Sequence, residues 1–349
     1  MKIIFLAIIF VIPCLGQTAR WYKGNTHAHT TLCGHADSPP SVVAQWYHDH
    51  GYNFAILSEH NKFIDPKTVK LKGKIREDFL LLPGEEVTGR KTVHSTAMNV
   101  NRLVPWHFDH EHRSKIIQKH VDETIKAGGA TILNHPNFGW AVQAKDMLPV
   151  KKLYLFELYN GHPSVRNFGD PKHPSTEQLW DDLLTQGMTI YGVGSDDAHH
   201  FGQWNPGKSN PGRGWVMVQA KELTSDAITN AMTQGDFYAS SGVMLKKVVR
   251  DSKRIEVEVD ETATDKELAS AILYGRKVKE GKPGYLVEFI GPKGKVIESS
   301  DKPKASSPVN LPYLRCKVTR RVKKENGDLL EHYAWVQPVF TDGRVKSSK

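Results

Sequence analysis

The stretch Asn25-Thr26-His27-Ala28-His29-Thr30-Thr31-Leu32-Cys33-Gly34-His35-Ala36-Asp37 carries three histidines whose spacing can do chemistry. His27 and His29 are two apart, so on a β-strand both rings point to one face. His35 follows after a segment short enough to fold back over the same point. Imidazoles converging on one spot are ligands for a divalent cation, whereas a lone His-x-His is an ordinary surface or core pair. The chain supplies matching pieces elsewhere: Ser58-Glu59-His60-Asn61, Pro83-Gly84-Glu85-Glu86-Val87-Thr88, Val93-His94-Ser95, Leu133-Asn134-His135-Pro136 and Gly194-Ser195-Asp196-Asp197-Ala198-His199. Each follows or ends a β-like run, and each offers a histidine or a carboxylate. Neutral imidazoles with carboxylates suit zinc, manganese or iron. A carboxylate can also bridge two cations about 3.5 to 4 Å apart, the spacing used in two-metal hydrolysis.

The elements that must position these groups alternate between strand and helix. Pro39 and Pro40 open a helix through Val42, Val43, Trp46 and Tyr47 that Gly51 closes. Phe54 to Leu57 is a short apolar strand leading to His60, Phe79 to Leu82 another leading to Glu86, and the segment Thr92 to Val104 carries His94. Helical spacing of Ile116, Ile117, Val121 and Ile125 marks Ser114 to Ala127, ended by Gly128-Gly129. Ala130 to Leu133 then leads to His135. Leu153 to Leu158 reads as a buried strand, Ser175 with Gln178 as a capping box, and Met188 to Val193 as the strand before Asp197 and His199. Trp215 to Gln219, a helix over Ser225 to Gln234, and Phe237 to Ser241 complete this part. Strands alternating with helices, with reactive groups at strand C-termini, describe an α/β barrel. The Gly-, Pro- and Asn-rich loop Phe201 to Gly214 is expected either as a wall or lid over the site or as a plain surface loop.

From about Trp21 to Gly242 these residues, in order, spacing and type, resemble the PHP (polymerase and histidinol phosphatase) superfamily of metal-dependent hydrolases, and within it the secreted CehA/McbA-type branch. The resemblance implies a distorted seven-stranded (β/α) barrel. By position it also implies one cation at His27, His29, Glu86 and Asp197, a second at Glu86, His94 and His135, and a third at His35, His60 and His199. Glu86 rather than Glu85 is the bridging carboxylate, because the family pattern places Glu before a hydrophobic residue and Thr. Glu59 stands where Asp is common in the family, and Gly34 where many relatives carry Asp. Both flank the third cation, so two or three divalent ions, Zn, Mn or Fe, are expected. Glu86, Asp197 and His199 are the expected catalytic ligands, and Asn134 is expected to orient His135.

The 349 residues, 39% of them hydrophobic, suffice for two domains with a sizeable core. Met1-Lys2 and the apolar run to Gly16 read as a secretory signal peptide, too short for a stable membrane span. The expected division is a signal peptide over 1–19, a metallohydrolase barrel over 20–243 and a small all-β, sandwich-like domain over 244–349. The tail's strands are Ile255 to Val259, Tyr285 to Ile290, Tyr313 to Val318 and His332 to Phe340, with a turn at Asn326-Gly327. Past the signal segment only Cys33 and Cys316 remain, read as two free thiols with a pairing as the alternative. Residues 246–349 hold 23 Lys and Arg against 15 Asp and Glu, so nearly all of the net +9 lies in the tail. This excess suits anionic glycans or an anionic surface. It lacks the interleaved aromatics of a nucleic-acid binder.

The expectation is therefore a secreted or periplasmic hydrolase activating water at a two- or three-metal site, acting on a small-molecule or glycan-linked substrate. A phosphoesterase is the first reading, a carboxyl ester, carbamate or amide hydrolase the alternative, and a glycan-binding protein with a non-catalytic barrel the second alternative. Asn61, Arg102, Tyr159, Asn160 and His200 lie beside the expected ligands and are weighed as substrate contacts.

Overall fold

Ten short strands and five helices carry the first part of the chain in this computed structural model, which describes residues 18–270 and 273–344. In chain order the elements are β1 (Arg20–Asn25), α1 (Pro40–Asp49), β2 (Phe54–Ala55), β3 (Leu80–Leu81), β4 (Gly84–Thr88), β5 (His94–Met98), α2 (Arg113–Lys126) and β6 (Ala130–Leu133). There follow α3 (Ala144–Met147), β7 (Leu155–Asn160), α4 (Thr176–Thr185), β8 (Tyr191–Ser195), β9 (Trp215–Ala220), α5 (Ser225–Thr233) and β10 (Phe237–Ser240). The signal-peptide reading falls on 1–19 and so lies almost wholly outside the described residues. Among those residues, no helix is long and apolar enough to cross a membrane.

Pairing passes in a circuit. β1, β2 and β3 are parallel neighbours. Beyond β2 the chain keeps its course: Ile56 N donates to Asn25 O, Ser58 N to Ala28 O, and His60 forms a parallel bridge with Glu86 of β4. β4, β5 and β6 are antiparallel, and β6, β7 and β8 parallel. Past β8, Ala198 bridges back to Ala28 beyond β1. The fold is mixed α/β, and the circuit departs from a regular strand–helix alternation. Two of its links are antiparallel, and Glu86 sits inside a strand rather than after one. Gly24 of β1 is required by close approach, since a Cβ there would lie 2.0 Å from the Phe54 ring.

The helices begin where the sequence puts caps. Pro40 starts α1, and Ser175 and Gln178 form the expected capping box of α4. Trp180, Leu183 and Leu184 of α4 pack with Phe156 and Leu158 of β7, while Val43, Ala44 and Tyr47 of α1 pack with Ala55 and Leu57. These helices cover the outside of the circuit, and its inside is left to the polar residues described below.

The tail contributes β11 (Leu245–Arg250), β12 (Arg254–Val259), α6 (Glu261–Leu268), β13 (Arg276–Val278), β14 (Gly284–Gly291), β15 (Lys295–Ser300), β16 (Lys304–Pro308), β17 (Tyr313–Lys323) and β18 (Leu329–Phe340). The helix α6 departs from an all-β tail. Asp260 caps it by accepting from Ala263 N at 2.9 Å. Strand β18 pairs with β10, so one sheet runs in the order β15-β14-β17-β18-β10-β9-β1-β2-β3. One apolar cluster holds Tyr47 and Trp215 together with Val257, Phe289, Val318 and Val336. The Gln337 side chain accepts from Gly192 N and donates to Gly192 O, at 2.9 and 2.8 Å, fastening β18 to β8.

Candidate metal centre

Backbone continuity past the strand ends brings the polar residues together. Asn25 closes β1 and ties its extension: Nδ2 donates to His27 O and to the Tyr47 hydroxyl, and Oδ1 accepts from Asp196 N. Asp196 in turn accepts from the backbone of Gly212, Arg213 and Gly214 and from Tyr47. The loop 201–214 is thereby pinned beside the centre, with Asn210 donating to His200 O and Gln203 O. Three non-glycine residues here sit at positive φ, namely His135 at 23°, Asp197 at 49° and Asn61 at 53°. Backbone strain of this kind is tolerated where the surroundings over-determine the conformation, as they often do at functional sites.

Glu86 stands in the middle. Its Oε1 lies 3.4 Å from His27 Nε2, 3.4 Å from His94 Nδ1 and 3.3 Å from His135 Nε2, and Asn134 Nδ2 donates to it at 2.9 Å. Its Oε2 lies 2.5 Å from His60 Nδ1 and 3.7 Å from His29 Nε2. Alternation along β4 turns Glu85 the other way, where it accepts from Val104 N and burial lifts its carboxyl to about 7. Asp197 Oδ1 is 3.4 Å from His27 Nε2 and 3.3 Å from His29 Nε2. His27, His29 and Glu86 are fully buried, whereas His60 and His94 are partly open and His35 is exposed, so the centre has a closed floor and one open side.

Apart from the direct Glu86–His60 pair, most donor atoms are spaced as ligands of a shared cation are. His27 Nδ1 bonds Glu157 Oε1 at 2.7 Å, so in the neutral ring its proton sits there and the Nε2 lone pair faces His29 Nε2 at 3.0 Å. His199 repeats the pattern. Its Nδ1 donates to Asp197 O at 3.0 Å, and its Nε2 faces His35 Nε2 at 3.0 Å while His35 Nδ1 faces Cys33 O at 3.3 Å. Ligands held at about 2.1 Å from one ion stand roughly 3.0 to 3.4 Å apart, which these facing nitrogens match. His27, His29 and Asp197 offer ligand atoms all within 4.8 Å of one another, as do His27, Glu86 and His135, and His29, His60 and His199. The set fits two or three divalent cations.

Electrostatics agree. Burial disfavours the charged form of His27, but Asp197, Glu157 and Glu86 outweigh it and lift the ring to about 10. Burial also works against Glu86 and Asp197 as anions, yet the surrounding imidazoles hold both well below the usual carboxylate range. Three buried carboxylates thus demand positive charge. His199, pushed down to about 2 chiefly by burial and then by His29, offers a neutral nitrogen.

All nine sequence-derived ligand positions, His27, His29, His35, His60, Glu86, His94, His135, Asp197 and His199, line this one centre. Asn134 does not bond the His135 ring as expected: it accepts from Thr96 N and donates to Glu86, and so orients the carboxylate instead. The weighed substrate contacts are otherwise occupied. Asn61 clamps the backbone of Thr88, Arg102 caps Lys126 O on the surface, and Tyr159 stacks on Trp335. Asn160 donates to Glu157 and Asp197, and His200 pairs with Ser209.

Glu157 matters more than its sequence suggests: it accepts from His27 Nδ1, His135 N, Ser195 Oγ and Asn160 Nδ2, holding two ligands in place. His162, edge-on to His199 with ring centroids 5.7 Å apart, is not singled out by the sequence. It follows no histidine motif, and only the fold brings it near.

No protein-family model matches the chain, and no curated protein matches it. Among solved structures it is similar to the crystal structure of a two-domain protein from Bacteroides vulgatus described as containing a predicted PHP-like metal-dependent phosphoesterase. Identity is 13%, the TM-score is 0.46, and the likeness covers 91% of this chain and 95% of that one. A likeness this distant leaves the chemistry to be argued from the centre itself.

Proposed function

We propose that this chain is a metal-dependent hydrolase of the PHP type, akin to its CehA/McbA-type branch and acting first as a phosphoesterase. One observation carries the reading: a fully buried glutamate, Glu86, has imidazole nitrogens on both oxygens, three of them within 3.4 Å of Oε1, as a carboxylate shared between cations does. Divalent ions held by His27, His29, Glu86, Asp197, His94, His135, His35, His60 and His199 would acidify a water and polarise the oxygen of the phosphoryl or carbonyl group under attack.

The chain's own groups prepare that chemistry. Glu157 takes the His27 Nδ1 proton in a hydrogen bond, so Nε2 is the nitrogen that would be freed for a cation, and the Asp197 carbonyl does the same for His199. Asn160 holds Asp197 Oδ2 at 3.2 Å, leaving Oδ1 turned to His27 and His29. The closed floor excludes bulk water, and substrate approaches across His35, His60 and His94.

A carboxyl ester or carbamate hydrolase is the second reading. It is favoured by the exposed Phe138, whose ring lies edge-on to His135 at 5.4 Å, an apolar surface beside the ligands. Secretion, residues 20–243 as the hydrolytic unit and the basic tail as a contact for anionic glycans or surfaces belong to the same proposal. Turnover by Zn- or Mn-loaded protein across matched aryl phosphate monoester, diester, carboxyl ester and carbamate substrates tests it, with His27→Ala and Glu86→Ala as controls. Phosphoester turnover lost in both variants supports the first reading. Ester or carbamate turnover alone supports the second, and metal bound with no turnover of any returns the chain to a binding role.

A further inference from the structure

We infer that Cys33 is a thiolate ligand at the His35–His199 corner of the centre, making that corner selective for a soft cation such as zinc or cobalt over manganese. The inference rests on the metal-centre reading above and goes beyond it, since no histidine or carboxylate motif points to this thiol.

Local structure presents the sulfur. Thr30 caps a single 3-10 turn over Thr31–Cys33 by accepting from Leu32 N, and Gly34 follows at φ 84°, a left-handed conformation that costs glycine nothing. That reversal sets Cys33 and His35 toward one point. Cys33 Sγ and one ring nitrogen each of His35 and His199 lie within 4.8 Å of one another. Both rings present Nε2 to this corner, because their Nδ1 atoms face backbone carbonyls. Two imidazoles and a sulfur form a set that zinc-like ions take readily and that hard, oxygen-preferring ions do not.

A second observation points the same way. Cys33 also groups with His29 and Glu59 within 4.8 Å. His29 is fully buried, yet its Nδ1 has no hydrogen-bond partner and stands 3.7 Å from Glu59 Oε1, too far to bond it. With His29 Nε2 turned to the floor of the centre, the neutral ring carries its proton on Nδ1, beside the sulfur. A buried N–H without an acceptor is costly, and a neighbouring thiolate supplies the acceptor. Glu59 Oε2 is likewise buried and unpaired, while its Oε1 is taken by Thr30 N at 2.7 Å, which fixes the start of the Cys33 turn. Binding is an exchange without redox change: the S–H bond is lost, its proton leaves to solvent, and the sulfur lone pair goes to the cation.

Titration of the chelator-stripped full chain with Co²⁺ tests this, read by absorption and by proton release, with Cys33→Ser beside wild type and circular dichroism checking that both fold. The expected result is a thiolate-to-cobalt charge-transfer band in the near ultraviolet in wild type that is absent from Cys33→Ser. Uptake should also release one proton fewer per chain in the variant, and its weakest-bound cobalt should be held at least about tenfold less tightly. Cobalt loading should also protect Cys33 from iodoacetamide. Cobalt bound with ligand-field bands but no charge-transfer band, or a band that survives in Cys33→Ser, overturns the role of Cys33 and leaves the metal centre standing. No cobalt uptake by either protein overturns both.

Discussion

Two clusters of buried charge can be compared. In the first, Arg315 of β17 meets Asp181 of α4 through two bonds of 2.7 Å, and Lys317 meets Glu177 at 2.6 Å. Opposite charges pair at hydrogen-bond distance, and Arg315 is driven above its usual range despite burial, chiefly by Asp181. In the metal centre, carboxylate oxygens stand mostly 3.3 to 3.7 Å from ring nitrogens, and ring nitrogens face one another. The first cluster neutralises itself and joins the tail to a helix of the circuit. The second brings carboxylates and imidazoles together at the spacing of groups that could share a cation. Burial alone therefore does not mark a functional site; the convergence and spacing of ligand-type groups does.

The comparison can be broken from either side. Asp181→Ala strands the buried Arg315 and should cost about 3 to 5 kcal/mol of unfolding free energy, read by urea denaturation, with metal content unchanged. Glu86→Gln should do the reverse. Turnover and metal binding should fall at least about a hundredfold, while the unfolding free energy of the chelator-stripped protein should change less than in Asp181→Ala. Equal stability loss in both variants would erase the distinction.

A third prediction concerns His332, buried in the tail and donating from Nδ1 to Ser241 O. Burial pushes this ring down to about 4, and Lys324 and Arg320 add to the effect. The unfolded chain takes up the proton first, near pH 6.5, so this contribution to stability is complete above about 6.5 and is lost as the pH falls toward 4. The loss should approach about 2 to 3 kcal/mol. In His332→Gln the pH dependence over that window should be shallower, and denaturation midpoints measured between pH 7 and pH 4 check it. The smallest effect expected is for Asn134→Ala, which frees Glu86 and should weaken cation binding about tenfold by calorimetry without changing the fold.

The sequence makes the ligand set readable because strand alternation is strict: His27 and His29 share a face, and Glu86 and Glu85 do not. It also shows helix starts where a cap is local, at Pro40 and Ser175. Other features depend on distant partners and leave no local signal. β2 is two residues long, and its continuation is held by Asn25 and Ala28 rather than by its own pattern. Glu157 reads from the sequence as a buried strand residue that could shuttle protons, and only the fold shows that it bonds His27. Cys33 is the free thiol that the sequence leads one to expect, but only the fold sets it beside His35 and His199. In the tail, β18 looks like a strand of its own sheet, and only its register against β10 shows that it extends the sheet containing β1.

The central claim is that the buried histidines and carboxylates exist to hold cations. The most direct test is calorimetric titration of chelator-stripped protein with Zn²⁺ and Mn²⁺, paired with elemental analysis of the dialysed product. The account predicts two or three divalent ions per chain, released protons and a raised melting temperature, with His27→Ala and Glu86→Gln each binding fewer. Binding of no ion above background, with a melting temperature indifferent to both metals, would contradict it.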